Sequence, residues 1–105
     1  MPLRQLQPRQ LSADARDLKD RLLAEWRNPD PTAQQPVILE STGHPNQPVH
    51  VYVVWDEWAP LPQVERSEVI MDAYLERYGQ AQSLNVTVAM GLTPEEADRM
   101  GIRYR

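Results

Sequence analysis

Apolar residues recur along the first third of the chain with the period of a helix. Leu11, Ala15, Leu18, Leu22 and Trp26 follow one another at spacings of four, three, four and four, so they share one face. Ser12 stands before this run as an N-cap, and Asp14 places a negative charge in the first turn, where the helix dipole favours it. Asn28-Pro29-Asp30-Pro31 stops the run, because proline lacks the N–H donor and drives the residue before it to extended geometry. The pattern predicts a helix over 13–27.

The period then changes from helical to alternating. Val37 to Ser41 reads as a short strand, and Gly43 to Pro48 has the composition of a turn. Val49 to Trp55 is the strongest strand, with Val49, Val51, Val53 and Trp55 on one face and His50, Tyr52 and Val54 on the other. That second face is not plainly polar, which predicts a central strand or a covered surface. Beyond the Pro-rich stretch from Asp56 to Pro62, helical spacing returns in Val64, Ser67, Met71, Tyr74 and Tyr78, widened by Ile70 and Leu75. Gly79 supplies the C-terminal stop, so the second helix is predicted over 62–78. Leu84, Val86, Val88 and Met90 alternate with Asn85, Thr87 and Ala89, which predicts a third strand with these four residues on one buried face. Thr93-Pro94-Glu95-Glu96 is a capping box with proline at its first helical position, and Leu92 is placed to pack on Ala97. A short helix follows to about Met100, ended by Gly101.

The expected fold class is α+β, an α-β-β-α-β-α two-layer sandwich. Its mixed three-stranded sheet has the first two strands antiparallel and the last two parallel, with helices packed on one face. A single α/β domain spans 12–101. Residues 1–11, rich in Gln, Pro and Arg, read as a flexible N-terminal tail, and 102–105 as a C-terminal tail without an assigned role.

Composition narrows the chemistry. The chain of 105 residues contains no Cys, which removes disulfides, thiolate metal sites and a Cys nucleophile. Its formal net charge is −4, and the acidity is uneven: residues 1–35 hold six basic and five acidic side chains, whereas 36–100 hold three and ten. The body therefore repels a polyanion and attracts a basic protein, so nucleic acid is disfavoured as a partner. No stretch is long and apolar enough to span a membrane, and the N-terminal residues lack the apolar core of a secretory signal, so a cytoplasmic location is expected.

Few residues suggest a site. His44 and His50 flank the hairpin turn and could share a metal with Glu40 or Asp56, but their spacing fits no zinc pattern. Ser41 beside His44 lacks the context of a nucleophile. Glu65, Glu68, Asp72 and Glu76 form a row of like charges that reads as a solvated helix face. Trp58, between acids and prolines, either closes the end of the core or stands exposed as a binding anchor beside Asp56 and Glu57. The candidate partner surface is therefore His50, Tyr52, Val54, Asp56, Glu57 and Trp58. No catalytic, metal or cofactor residue is assigned.

Several local sequences, read with this element order, resemble the BolA-like fold, a relative of the type II KH domain. Glu40-Ser41 followed by His44 looks like the acidic-Ser…His stretch of that family's first hairpin. Glu65-Arg66-Ser67-Glu68 falls where its second long helix begins with an Arg-His-Arg run, and Asn85 to Ala89 with Thr93-Pro94-Glu95-Glu96 resembles its last strand and following turn. Two departures separate fold from chemistry. Ser67 stands at the family's helix histidine, and Asn85 at the last-strand histidine associated with iron–sulfur binding beside a monothiol glutaredoxin. Asn is a poor ligand for such a cluster, so the resemblance implies the fold without cluster binding. The Gly-X-X-Gly clamp of KH domains is absent. The expected function is a small noncatalytic domain that binds a protein partner or itself. The alternative is a nucleic-acid-binding or regulatory role, which would need Arg4, Arg9, Arg103 and Arg105 gathered into one strip. A metal-dependent enzyme using His44 and His50 ranks last.

Overall fold

A computed structural model describes residues 12–41 and 48–104. The predicted N-terminal tail, the turn that holds His44, and Arg105 lie outside the described residues. Helix α1 spans Ala13–Arg27, and the Ser12 hydroxyl accepts a hydrogen bond from the Ala15 amide at 3.2 Å. Strand β1 is Val37–Ser41 and β2 is Val49–Val54. A 3-10 turn over Asp56–Trp58 leads to helix α2, Gln63–Tyr78. Gly79 closes α2 with a φ of 89°, a value that favours glycine, and its amide donates to the Leu75 carbonyl. A single helical turn, α3 (Gln80–Ser83), precedes β3 (Val86–Leu92), and the short α4 (Pro94–Arg99) follows.

The sheet order is β1-β2-β3, with β1 antiparallel and β3 parallel to the central β2. This is the mixed α+β sandwich that the alternation and helical periods predicted. Helices α1 and α2 pack together over one face. Leu18, Leu22, Leu23 and Trp26 of α1 and Val69, Ile70, Ala73 and Tyr74 of α2 enclose Val49, Val51 and Val53. Each Val, Leu or Ile side chain among them, once buried, contributes about 1.5–3 kcal/mol of transfer free energy. Trp26 meets Tyr74 edge-on with ring centres 5.7 Å apart.

Three features depart from the sequence pattern. The buried face of α2 runs through Arg66, Val69, Ile70, Ala73 and Tyr74, while Val64 is 57% exposed. The apolar spacing places the stripe one step round the helix, because a buried arginine does not register as apolar. Strand β3 carries an extra residue: Val49 pairs with Val86 but His50 with Val88, leaving Thr87 as a bulge. Its alternation is therefore broken. Val86 and Ala89 pack on the helix side, whereas Met90 and Leu92 pack on the other. Finally, Ile102 and Tyr104, to which the sequence assigned no role, pack with Val54, Leu92 and Ala97 in a second cluster. Helix α4 thus covers one end of the sheet face opposite α1 and α2.

Arg66 ties these layers together. It is 7% exposed; its Nε donates to the Leu61 carbonyl at 2.8 Å and its Nη1 to the Gly91 carbonyl at 3.2 Å. Nη1 also donates to Glu96 Oε1 at 2.7 Å. Glu96 completes the capping box of α4, accepting from the Thr93 amide at 2.9 Å. The Thr93 amide, together with the Arg66 guanidinium, holds the Glu96 carboxyl down to about 2.

Candidate binding surface

The strands present three cross-strand rows on the face away from α1 and α2. Ser41, His50 and Val88 form the first, Leu39, Tyr52 and Met90 the second, and Val37, Val54 and Leu92 the third. The third row lies beneath Ala97, Ile102 and Tyr104, and Val54 there is fully buried. Tyr52 and Met90 border that cluster and stay half-buried. The first row has no helix over it among the described residues: His50 and Val88 are half-buried and Ser41 is exposed. None of the nine positions carries a carboxylate, a lysine or an arginine.

The candidate surface read from the sequence therefore separates into parts. His50 and Tyr52 share the open face. Val54 is removed from it by α4 and the residues that follow. Trp58 is also removed, being fully buried. The 3-10 turn folds its indole back under the sheet end, where Nε1 donates to the Val53 carbonyl at 3.0 Å. Its ring stands edge-on to Trp55 at 5.3 Å. Gly91 makes room for this packing, since a Cβ there would lie 2.9 Å from Trp58 Cε2. Of the two readings of Trp58, the structure thus selects core over anchor. Asp56 and Glu57 remain exposed but diverge. Asp56 is held by Gln35, whose side-chain amide donates to its Oδ2 at 3.1 Å and accepts from its backbone N–H at 2.7 Å. Glu57 faces Arg21 of α1 at 3.5 Å.

The other candidates gain no geometry. His44 lies outside the described residues, so its pairings with His50 and Ser41 do too. Among the described residues, no three His, Cys, Asp or Glu side chains gather as metal ligands. In the acidic row of α2, Glu76 is bonded to Lys19 of α1, which lowers its pKa, so one end of the row serves helix packing. Ser67 donates from Oγ to the Ala89 carbonyl at 2.7 Å. Gln63 both donates to and accepts from the Gly91 backbone, at 2.8 and 3.0 Å. These two side chains occupy the outer edge of β3 much as another strand would.

Sequence reasoning missed a cleft at the other end of α1. It is about 440 Å³ and is lined by Glu25, Trp26, Pro29, Pro36, Ile38 and Glu40. Trp26 Nε1 donates to Glu40 Oε1 at 2.6 Å, and the Tyr78 hydroxyl to the same oxygen at 3.3 Å. Burial, followed by the Glu40 charge, raises the Tyr78 pKa and so favours the protonated phenol that this bond requires. The available signal was Glu40, an acidic residue on the helix-facing side of a strand, in phase with Ile38.

No known protein family matches the chain, and neither a curated protein nor a solved structure matches it. Among the described residues, no helix is long and apolar enough to cross a membrane.

Proposed function

We propose that this chain is a small noncatalytic binding domain that associates with a second copy of itself through the open rows of its outer sheet face. The observation that carries this reading is the absence of any carboxylate, lysine or arginine from Leu39, Ser41, His50, Tyr52, Val88 and Met90 on a chain of net charge −4. Two acidic bodies repel, so a contact between copies is favoured where neither presents a carboxylate. A polyanion meets the opposite condition over residues 36–100, which disfavours the nucleic-acid alternative.

Strands stand about 5 Å apart, so six positions on three strands cover far less than the ~800 Å² per partner of a standard stable interface. The expected dimer is accordingly weak and dissociates on dilution. The BolA-like resemblance belongs to this reading at the level of topology. The helix, hairpin, helix, strand and helix order supports it, while Ser67 is engaged with the edge of β3.

Light scattering coupled to size exclusion, across a range of loading concentrations, tests the proposal. The expected result is a mass that rises with concentration in the parent and stays monomeric in Val88→Glu, which would set like charges against each other. A parent that is strictly monomeric at every concentration refutes it, as does a Val88→Glu variant that dimerises equally well.

A further inference from the structure

We propose that the cleft between the end of α1 and the start of β1 is a recognition site for a cationic side chain, an arginine carried on a partner peptide. At about 440 Å³, with Trp26, Pro29, Pro36 and Ile38 as apolar walls, it has room for a guanidinium and its aliphatic stem. Its polar lining consists of two carboxylates, Glu25 and Glu40. Each already has one oxygen engaged: Glu25 Oε1 accepts from the Asp30 amide at 3.1 Å, and Glu40 Oε1 from Trp26 and Tyr78. Among the described residues, neither carboxylate forms an ion pair, and the second oxygen of each has no donor.

The bonds to Oε1 orient Glu40 without neutralising it. Trp26 and Tyr78 are neutral donors, so its negative charge remains available to a ligand. No basic residue lines the cleft. The occupant that fits is a planar cation with donors enough for two carboxylates, which describes a guanidinium. The acidic body steers such a ligand toward the site. This site is independent of the outer sheet face.

The test is a titration of the protein with acetyl-Gly-Arg-Gly-amide, followed by 1H–15N NMR, with the citrulline analogue as the neutral isostere. The arginine peptide is expected to shift the Trp26 indole and the Glu25 and Ile38 amides saturably, and the citrulline peptide to leave them unmoved. Glu40→Gln, which keeps an oxygen for Trp26, should weaken binding about tenfold or more. Glu25→Gln provides a second arm should Glu40→Gln fail to fold. Glu57→Gln, an exposed carboxylate outside the cleft, should bind as the parent does. Equal shifts with citrulline, no saturable shift with arginine, or equal loss in Glu57→Gln each overturn the proposal. Val88→Glu should bind arginine normally, so failure of the dimer and failure of the cleft can be told apart.

Discussion

Replacing Glu96 with Gln tests whether α4 is locked onto the sheet by charge. The carboxylate receives the Thr93 amide and hydroxyl, both at 2.9 Å, and the buried Arg66 guanidinium at 2.7 Å. Its pKa falls from 4.5 to about 2, with the Thr93 amide as the largest cause and Arg66 next. A group whose folded pKa is depressed adds stability that is present above its unfolded pKa and lost as the pH falls through the folded value. The window is therefore from about pH 4.5 down to about pH 2. A displacement of that size corresponds to about 3 kcal/mol before screening. The side chain is 35% exposed, and solvent screening reduces the expected contribution to about 1–2 kcal/mol.

Urea unfolding followed by tryptophan fluorescence supplies the measurement, because Trp26, Trp55 and Trp58 are all buried. Glu96→Gln should be less stable than the parent by about 1–2 kcal/mol at pH 7, and the gap should close toward pH 2 as the parent carboxylate protonates. Arg66→Met should cost about 2–4 kcal/mol at neutral pH, since it also strips donors from the Leu61 and Gly91 carbonyls. It should keep part of the acid sensitivity, because the Thr93 amide remains. A gap between parent and Glu96→Gln that is constant from pH 7 to pH 2 would refute the lock.

Gly91→Ala would set a Cβ 2.9 Å from both Arg66 Cβ and Trp58 Cε2, and a loss of about 1–3 kcal/mol is expected in the same urea assay. Combining Gln63→Ala with Ser67→Ala would uncover the Gly91 N–H and the Ala89 carbonyl at the edge of β3, while Arg66 still covers the Gly91 carbonyl. Turbidity beyond the parent's reversible dimer is the expected outcome, and a variant that scatters no more than the parent at equal concentration would show that these side chains do not protect the edge.

Helix α1 was legible to the residue, because Ser12 and Asn28-Pro29 mark its ends and its buried face is apolar throughout. The capping box of α4 was equally legible, since Thr93 and Glu96 act through bonds between near neighbours in sequence. What escaped depends on contacts distant in the chain. The bulge at Thr87 cannot be seen in the alternation of β3, because it exists only in the pairing with β2. Arg66 looks like a solvent residue until Leu61, Gly91 and Glu96 are brought around it. The phase of Trp58 was undefined because it follows the strand on a 3-10 turn, and only the space left at Gly91 decides where its ring goes.

The same distinction separates the two surfaces. His50 and Tyr52 could be placed on one face from period alone, and that face is open where α4 does not reach. The Trp26–Glu40 cleft could not be read, because its halves come from a helix end and a strand start joined by a Pro-bounded linker. Once assembled, the two surfaces have opposite electrostatic character. The outer sheet face lacks charged side chains and suits contact between like molecules, whereas the cleft holds two carboxylates without a lining cation and suits an unlike, basic one. Net acidity disfavours association at charged faces but attracts cations to them. Under the two proposals, the same excess of charge would favour self-association at the outer sheet face and basic ligands at the acidic cleft.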